Sequence, residues 1–200
     1  MALNFANNNS LSAITSLPAS ISGGAMTLLQ TQTASSSATI DFTSNIDSTY
    51  DVYCFKFYDI HPATDNTHLL VNFRDGGSAF DATKTTTAFY AYHDESNTET
   101  GLIYSGGSDL AQSTSGQRIN GSVGNDNDQQ CSGTLQLYNP SSTTFVKHFI
   151  SNSSVVTNGD YNYNWFSAGY CNTTTAIDGV NFSMSSGNID SGVIKLYGIS

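Results

Sequence analysis

Alternation of apolar and polar side chains within short segments is the feature that most constrains this chain. In the segment YDVYCFKFYDIHPATDNTHLLVNFRDGG, residues 50–77, one side of an extended strand would carry Tyr53, Phe55 and Phe57. The opposite side would carry Val52, Cys54 and Tyr58, interrupted by Lys56. Aromatic residues on both sides predict a central strand that is covered on both faces. A second strand is predicted at 67–73, and it ends at an Asp-Gly-Gly sequence that suits a tight turn.

The same alternation recurs from Ser36 to the end of the chain. Further strands are predicted at 38–42, 88–93, 133–138, 144–150, 161–165, 180–184 and 193–197, with a weaker signal at 118–123. In the strand at 144–150 we expect Phe145 and Phe149 to share one face. Nine or ten short strands joined by turn-rich segments, without a fixed-period repeat, predict an all-β antiparallel fold. The strand number and the long loops favour a jelly-roll-like β-sandwich.

The first 34 residues differ from the rest of the chain. We predict an N-terminal arm over residues 1–34, followed by the β-sandwich domain over residues 35–200. The residues expected to serve attachment or oligomerisation are Phe5, Leu11, Ile14, Leu17, Ile21, Leu28 and Leu29. They form more apolar surface than a free tail exposes, so we expect the arm to pack on its own domain or on a neighbour.

The charge balance argues against two classes of partner. The chain has 6 Lys and Arg residues against 16 Asp and Glu residues, a formal net charge of −10. Binding to nucleic acid or to an anionic membrane surface requires a basic patch, which this composition does not supply. No apolar run approaches the roughly 18 residues of a membrane span, so we expect no membrane insertion.

No set of residues predicts catalysis or metal binding. The densest oxygen cluster, Asn125–Asp128, lacks the glycine and the closing glutamate of a calcium loop, and we interpret it as a solvated turn. The only two glutamates, Glu95 and Glu99, share one polar loop without the apolar surroundings of a catalytic carboxylate. Motifs for a nucleophile elbow, a dinucleotide or a phosphate loop are missing. We expect a protein that is not an enzyme and that uses no cofactor and no metal.

The cysteines and histidines give weaker signals. Cys54, Cys131 and Cys171 form no CxxC pair, and the position of Cys54 inside a strand favours a buried free thiol. A disulfide between two of the three remains open at this point. The four histidines lack the spacing of a helical zinc site, and we interpret them as surface or interface residues.

Aromatic side chains exceed what one small core must hold. Tyrosine is favoured at subunit interfaces and on sugar-binding surfaces because its ring is apolar and its hydroxyl is polar. The candidate glycan-binding or interface aromatics are Tyr90, Tyr92, Tyr161, Tyr163 and Trp165. The alternative is that most of them are edge residues of the sandwich.

Three stretches of the chain resemble one known family. They are ALNFANNNSLSAITSLPASI near the start, TASSSATIDFTSNIDSTYDVYCFKFYDIHPATDN in the first third, and FSMSSGNIDSGVIKLYGIS at the end, together with the DGGS turn. These stretches resemble a family of small virion structural proteins of tailed phages of marine bacteria, cyanophages among them. The resemblance covers nearly the whole chain and carries no catalytic residues.

The resemblance implies a non-enzymatic structural protein on the surface of a phage particle. We expect a tail fibre, another tail-associated protein or a head-decoration protein, with other virion proteins as partners. The alternative is a lectin-like module that contacts host surface glycans. We also expect a homo-oligomer, and by analogy with phage appendages a homotrimer.

Overall fold

The computed structural model describes residues 26–199. This part of the chain contains twelve β-strands and no helix. The strands are β1 (Met26–Ser37), β2 (Thr39–Phe42), β3 (Val52–Pro62), β4 (Leu69–Arg74), β5 (Lys84–Asp94), β6 (Thr100–Tyr104), β7 (Gln117–Arg118), β8 (Cys131–Tyr138), β9 (Lys147–Val156), β10 (Tyr161–Cys171), β11 (Gly179–Met184) and β12 (Ile189–Ile199).

The strands form two antiparallel sheets that pack against each other. The large sheet has the order β1-β12-β3-β8-β9-β10-β5-β6, and the small sheet has the order β2-β11-β4-β7. The four strands β1-β12-β3-β8 and the four strands of the small sheet together have the strand order of a jelly roll. The predicted all-β, jelly-roll-like sandwich is therefore confirmed.

Two hairpins widen the large sheet beyond this jelly roll. β5 and β6 are inserted between β4 and β7, and β9 and β10 are inserted between β8 and β11. All four strands join the large sheet on the far side of β8, so the large sheet has four more strands than the small sheet. We call the side of the large sheet that faces the small sheet its inner face, and the opposite side its outer face.

The core lies between the two sheets and is rich in phenylalanine. Phe55 of the large sheet contacts Phe42 and Phe182 of the small sheet, with ring centroids 5.2 and 5.5 Å apart. Phe73 of β4 contacts Phe149 of β9, with ring centroids 4.8 Å apart, so the small sheet also packs on β9. All five side chains are fully buried, as the alternation in the sequence predicts.

The boundary predicted at residue 34 is wrong for the part of the arm that the structure describes. β1 begins at Met26 and pairs antiparallel with β12 from Met26 to Ser37. A bulge between Leu28 and Gln30 turns Leu29 toward the core, whereas Leu28 stays half exposed on the outer face. The predicted arm residues Phe5, Leu11, Ile14, Leu17 and Ile21 lie outside the described residues.

Three local predictions also differ from the structure. The sequence does not predict β6. Phe145 lies in the turn before β9 and is 69% exposed, so it does not share a buried face with Phe149. The outer face of β3 has no second layer over it among residues 26–199. Long side chains cover it instead, with the Lys56 and Lys195 ammonium groups over the rings of Tyr197 and Tyr58.

All three cysteines are buried free thiols, which resolves the alternative left open by the sequence. Cys171 lies on the inner face, directly between Lys147 of β9 and Lys84 of β5 in the strand register. Both lysines are buried, and each ammonium donates to backbone carbonyls, those of Ala82 and Thr173 among them. Burial outweighs these positive charges and raises the pKa of the Cys171 thiol to about 12.

Candidate functional site

The five predicted aromatic residues lie together on the inner face of β5 and β10, and we call them the aromatic row. The strand register places Tyr90 opposite Trp165, and Tyr92 opposite Tyr163. Tyr90 stacks on Trp165 at 5.0 Å and on Tyr163 at 4.7 Å between ring centroids. Tyr161 ends the row and meets Tyr92 edge to face. The structure thus brings the five residues together, and their role in glycan binding or at an interface stays a prediction.

Neighbouring rings of the aromatic row stack on one another, so their edges and hydroxyl groups, and not their faces, are available to a ligand. Trp165 is buried, and its indole N–H donates to the Ser167 hydroxyl at 2.9 Å. Glycine makes room for two of the tyrosines, since a Cβ on Gly101 or on Gly121 would lie 2.6 Å from a ring carbon of Tyr92 or of Tyr163, respectively. The row is thus a wall of ring edges and not a flat stacking platform.

A groove of about 240 Å³ lies between the aromatic row and the edge of the small sheet, and we call it the interlayer groove. Tyr90 and Tyr163 line one side. His68, just before β4, Arg118 of β7 and several serine hydroxyls complete the lining. The groove thus lies where the edge strand β7 of the small sheet meets β5 and β10 of the widened large sheet.

The electrostatics of the interlayer groove are set by one arginine. Arg118 is half-buried, and none of the Asp and Glu side chains in residues 26–199 forms an ion pair with it. Its Nη1 donates a long hydrogen bond of 3.5 Å to the Ser108 hydroxyl. Burial and the Arg118 guanidinium lower the pKa of His68 below its ordinary value, so this imidazole is neutral at pH 7.

The far end of the aromatic row carries the opposite charge. The Tyr161 hydroxyl donates to the Glu99 carboxylate at 2.9 Å. Nearby, Asp94 organises its own loop by accepting hydrogen bonds from the Ser96 and Thr98 hydroxyls and from the Thr98 and Glu99 backbone N–H groups. These bonds hold the pKa of the Asp94 carboxyl well below its ordinary value.

The outer face of the widened half of the large sheet is apolar. Phe89 of β5 and Phe166 of β10 lie opposite each other and stack, with planes 8° apart and ring centroids 4.9 Å apart. Around them Leu102 is 72% exposed, Tyr104 60% and Ile150 49%. We call these five side chains the outer apolar patch, and no strand among residues 26–199 covers it.

A shallow apolar groove of about 490 Å³ continues the outer apolar patch along β10. Its floor is Ala168 and Gly169, which carry almost no side chain, and Ile150 and Tyr170 form part of its walls. Small residues between larger neighbours leave room for a side chain from another surface. The outer apolar patch thus supplies projecting apolar side chains, and the adjoining groove can accept an apolar side chain from another surface.

Acidic side chains avoid this outer face although the protein is strongly acidic. Of the 16 Asp and Glu residues, only Asp59, Asp94 and Asp190 lie in strands of the large sheet. Asp94 ends β5, and the other two lie at the irregular end of β3 and β12. The Tyr104 hydroxyl reaches one further carboxylate, Asp109, in the loop after β6. The middle of the outer face thus carries no negative charge.

The structure adds residues that the sequence did not single out. His68 and Arg118 come from separate segments and meet only through sheet pairing. The exposed Phe89 and Phe166 follow ordinary strand alternation, so nothing in the sequence distinguishes them from core residues. Leu102 lies in β6, which the sequence does not predict. Trp165, a candidate contact aromatic, is buried, and Leu29, a candidate attachment residue, is partly buried against the core.

Residues 26–199 contain no cluster of three or more His, Cys, Asp or Glu side chains that could hold a metal ion. Within the same range, no helix is long and apolar enough to cross a membrane. Comparison with protein-family models finds no match, and a search of curated proteins finds no similar sequence.

Proposed function

We propose that this protein is a non-enzymatic structural subunit of a phage particle and that two copies associate through the outer face of the large sheet. The observation that carries the assembly role is the outer apolar patch, exposed on a face whose middle carries no carboxylate. The virion setting comes from the family resemblance. A jelly roll is used by many capsid proteins and lectins, but the fold by itself does not decide between such roles.

The outer face is large enough for a stable contact. Eight strands about 4.8 Å apart make a sheet roughly 35 Å wide, and the longer strands extend it by a similar length. The outer face of the sheet thus covers roughly 1,000 Å², compared with about 800 Å² per partner in a standard interface. Monomeric proteins rarely expose so many clustered apolar side chains, which supports a covered face.

The charge distribution favours a second copy of the same chain as the occupant. Two molecules that each carry a formal charge of −10 repel each other, except where they approach through surfaces without negative charge. The middle of the outer face is such a surface. A face that pairs with its own copy produces a two-fold contact, whereas a trimer needs two different surfaces. The trimer therefore stays a prediction by analogy, and the two-fold contact is the one that this face supports.

Charge insertion on the outer face tests the assembly role. In sedimentation equilibrium at micromolar concentration, we expect the wild-type protein to have twice the mass of one chain. Leu102→Asp and Ile150→Asp place carboxylates on exposed positions of the outer apolar patch, so each should shift the protein to the monomer without a large loss of Tm. Association is opposed both by the repulsion between the new carboxylates and by the smaller apolar area that the interface then buries.

A matched control is available on the small sheet. Thr39 is exposed on β2, and Thr39→Asp adds the same charge away from the outer face. This variant should associate like the wild type. A monomeric wild type, or an equal response to Leu102→Asp and Thr39→Asp, would show that the outer face is not the contact. A trimer insensitive to all three variants would favour another surface.

A second candidate function is glycan binding at the interlayer groove. The observation that favours it is the convergence of tyrosine edges, serine hydroxyls and one arginine in a recess beside the aromatic row. Sugars are bound through such hydroxyl-rich sites with aromatic walls. The two functions are compatible because the groove and the outer apolar patch lie on opposite faces of the large sheet.

A further inference from the structure

We propose that the interlayer groove binds an acidic sugar, through a salt bridge between Arg118 and a carboxylate or sulfate group of the ligand. This inference rests on the second candidate function and names its ligand class. It follows from the state of the cations in residues 26–199, from the fixed position of Arg118, and from the size and lining of the groove.

Arg118 is the basic side chain in this part of the chain whose charge no other group offsets. The chain has six basic residues, and five have evident partners. These are Lys84 and Lys147 on carbonyl groups, Lys56 and Lys195 over tyrosine rings, and Arg74 in an ion pair with Asp178. An unpaired, half-buried guanidinium in a protein with 16 acidic residues is unusual, because partial burial of a charge costs free energy unless a partner offsets it. An anionic ligand would supply that partner.

The backbone of Arg118 is held in place, so its side chain starts from a fixed position. The Arg118 carbonyl accepts hydrogen bonds from the Ser167 hydroxyl at 2.9 Å and from the Gln117 side-chain amide at 2.8 Å. Strand pairing with Leu70 of β4 fixes the same residue from the other side. A guanidinium on a rigid base loses less conformational freedom when it forms a bidentate contact with a carboxylate or a sulfate.

The remaining lining suits the uncharged part of a sugar. Ser108 and Ser122 supply hydroxyl groups, and the edges of Tyr90 and Tyr163 supply apolar contact. His68 is neutral at pH 7, which leaves Arg118 as the positive charge of the groove. The volume of about 240 Å³ is smaller than the roughly 300–1,000 Å³ of sites for drug-sized ligands, so it fits about one sugar ring.

The test uses the single tryptophan of the chain as a reporter. Trp165 lies in the wall of the interlayer groove, stacked on Tyr90. Full-length protein is titrated with a glucuronate-containing disaccharide, with lactose as the neutral counterpart and with inorganic sulfate, and binding is followed by tryptophan fluorescence and calorimetry. We expect saturable binding of the acidic disaccharide at least about tenfold tighter than binding of lactose or of sulfate.

Three variants separate charge from folding. Arg118→Gln should weaken binding of the acidic disaccharide at least about tenfold and leave lactose binding unchanged. Arg118→Lys, which keeps the charge but loses the planar fork, should give an intermediate loss. Lys56→Gln removes the same charge from the outer face and should bind like the wild type. Thermal melting of each variant reports whether it folds.

Each outcome bears on a different part of the inference. Equal binding of lactose and of the acidic disaccharide, unaffected by Arg118→Gln, would overturn the acidic preference and leave the glycan-binding function standing. If sulfate binds as tightly as the acidic disaccharide, the claim that the groove recognises a sugar is overturned. A wild type that binds none of the three ligands would overturn the inference and the second candidate function together.

Discussion

Phe89 and Phe166 stack almost parallel across β5 and β10, with ring centroids 4.9 Å apart, on the side of the sheet that faces away from the core. Phe89 is 41% exposed, so this stack lies at the surface. A cross-strand aromatic pair stabilises the inserted hairpins, and the same rings form the centre of the outer apolar patch. The same two side chains are thus expected to serve both the stability of the sheet and the proposed assembly contact.

We expect the Phe89–Phe166 pair to contribute a coupling free energy of about 0.5–1.5 kcal/mol to folding. Phe89→Ala, Phe166→Ala and the double variant should be unfolded with urea at a protein concentration low enough to prevent association. The double-mutant cycle then isolates the contact within one chain. A coupling near zero would mean that the stack is an incidental arrangement of two exposed rings.

Phe55→Ala should lower the free energy of unfolding by about 3–5 kcal/mol, since its fully buried ring contacts Phe42 and Phe182 across the two sheets. Phe145→Ala is the matched control, because the same change at an exposed turn position should cost less than about 0.5 kcal/mol. Urea unfolding monitored by circular dichroism measures both. A cost below about 1 kcal/mol for Phe55→Ala would show that the core is not centred on this ring.

Two truncations test where the folded domain begins. Removing residues 1–34 deletes most of β1 together with Leu29 and Ala34, which pack on the core, so the Tm should fall clearly. Removing residues 1–25 leaves β1 complete, so the Tm should fall less than after removal of residues 1–34. Differential scanning calorimetry compares the two. An equal Tm for both truncations would contradict the assignment of β1 to the sandwich.

The acid stability of the fold should depend on Asp94. Its folded-state pKa is lowered, chiefly by the Ser96 and Thr98 hydroxyls, so its contribution is complete above the unfolded value of 3.8 and is lost as the pH falls toward the folded value. Asp94→Asn should therefore lower the Tm at pH 7, and the difference from the wild type should shrink below pH 3.8. Glu95→Gln, the same change at the exposed neighbour, is the control. A difference that stays constant with pH would rule out linkage to this carboxyl.

The sequence predicted the jelly roll because its strands are buried on one face, and burial produces the alternation. Leu69, Val71 and Phe73 in β4 and Ile194 and Leu196 in β12 are fully buried at the expected positions. β6 escaped prediction because it is a short edge strand whose side chains are mostly exposed, so that its residues need not alternate.

The candidate sites could be predicted only in part. Alternation places Tyr90 and Tyr92 on one face of β5 and Phe89 on the other, but it does not show which face another layer covers. Which face is covered depends on the pairing of β5 with β10. In every pair of this register the two residues are at least 67 positions apart along the chain. Arg118 lies in a two-residue strand, and only the chain path around the groove brings it near the aromatic row.

Hydroxyl-radical footprinting of the wild-type protein over a range of concentrations tests the proposed contact most directly. Leu102 and Ile103 are neighbours on β6, with Leu102 on the outer face and Ile103, 41% exposed, on the inner face. We expect oxidation of Leu102 to fall as the protein associates, while oxidation of Ile103 stays constant. Equal oxidation of Leu102 at all concentrations would contradict the two-fold contact, and so would protection already complete in the monomer.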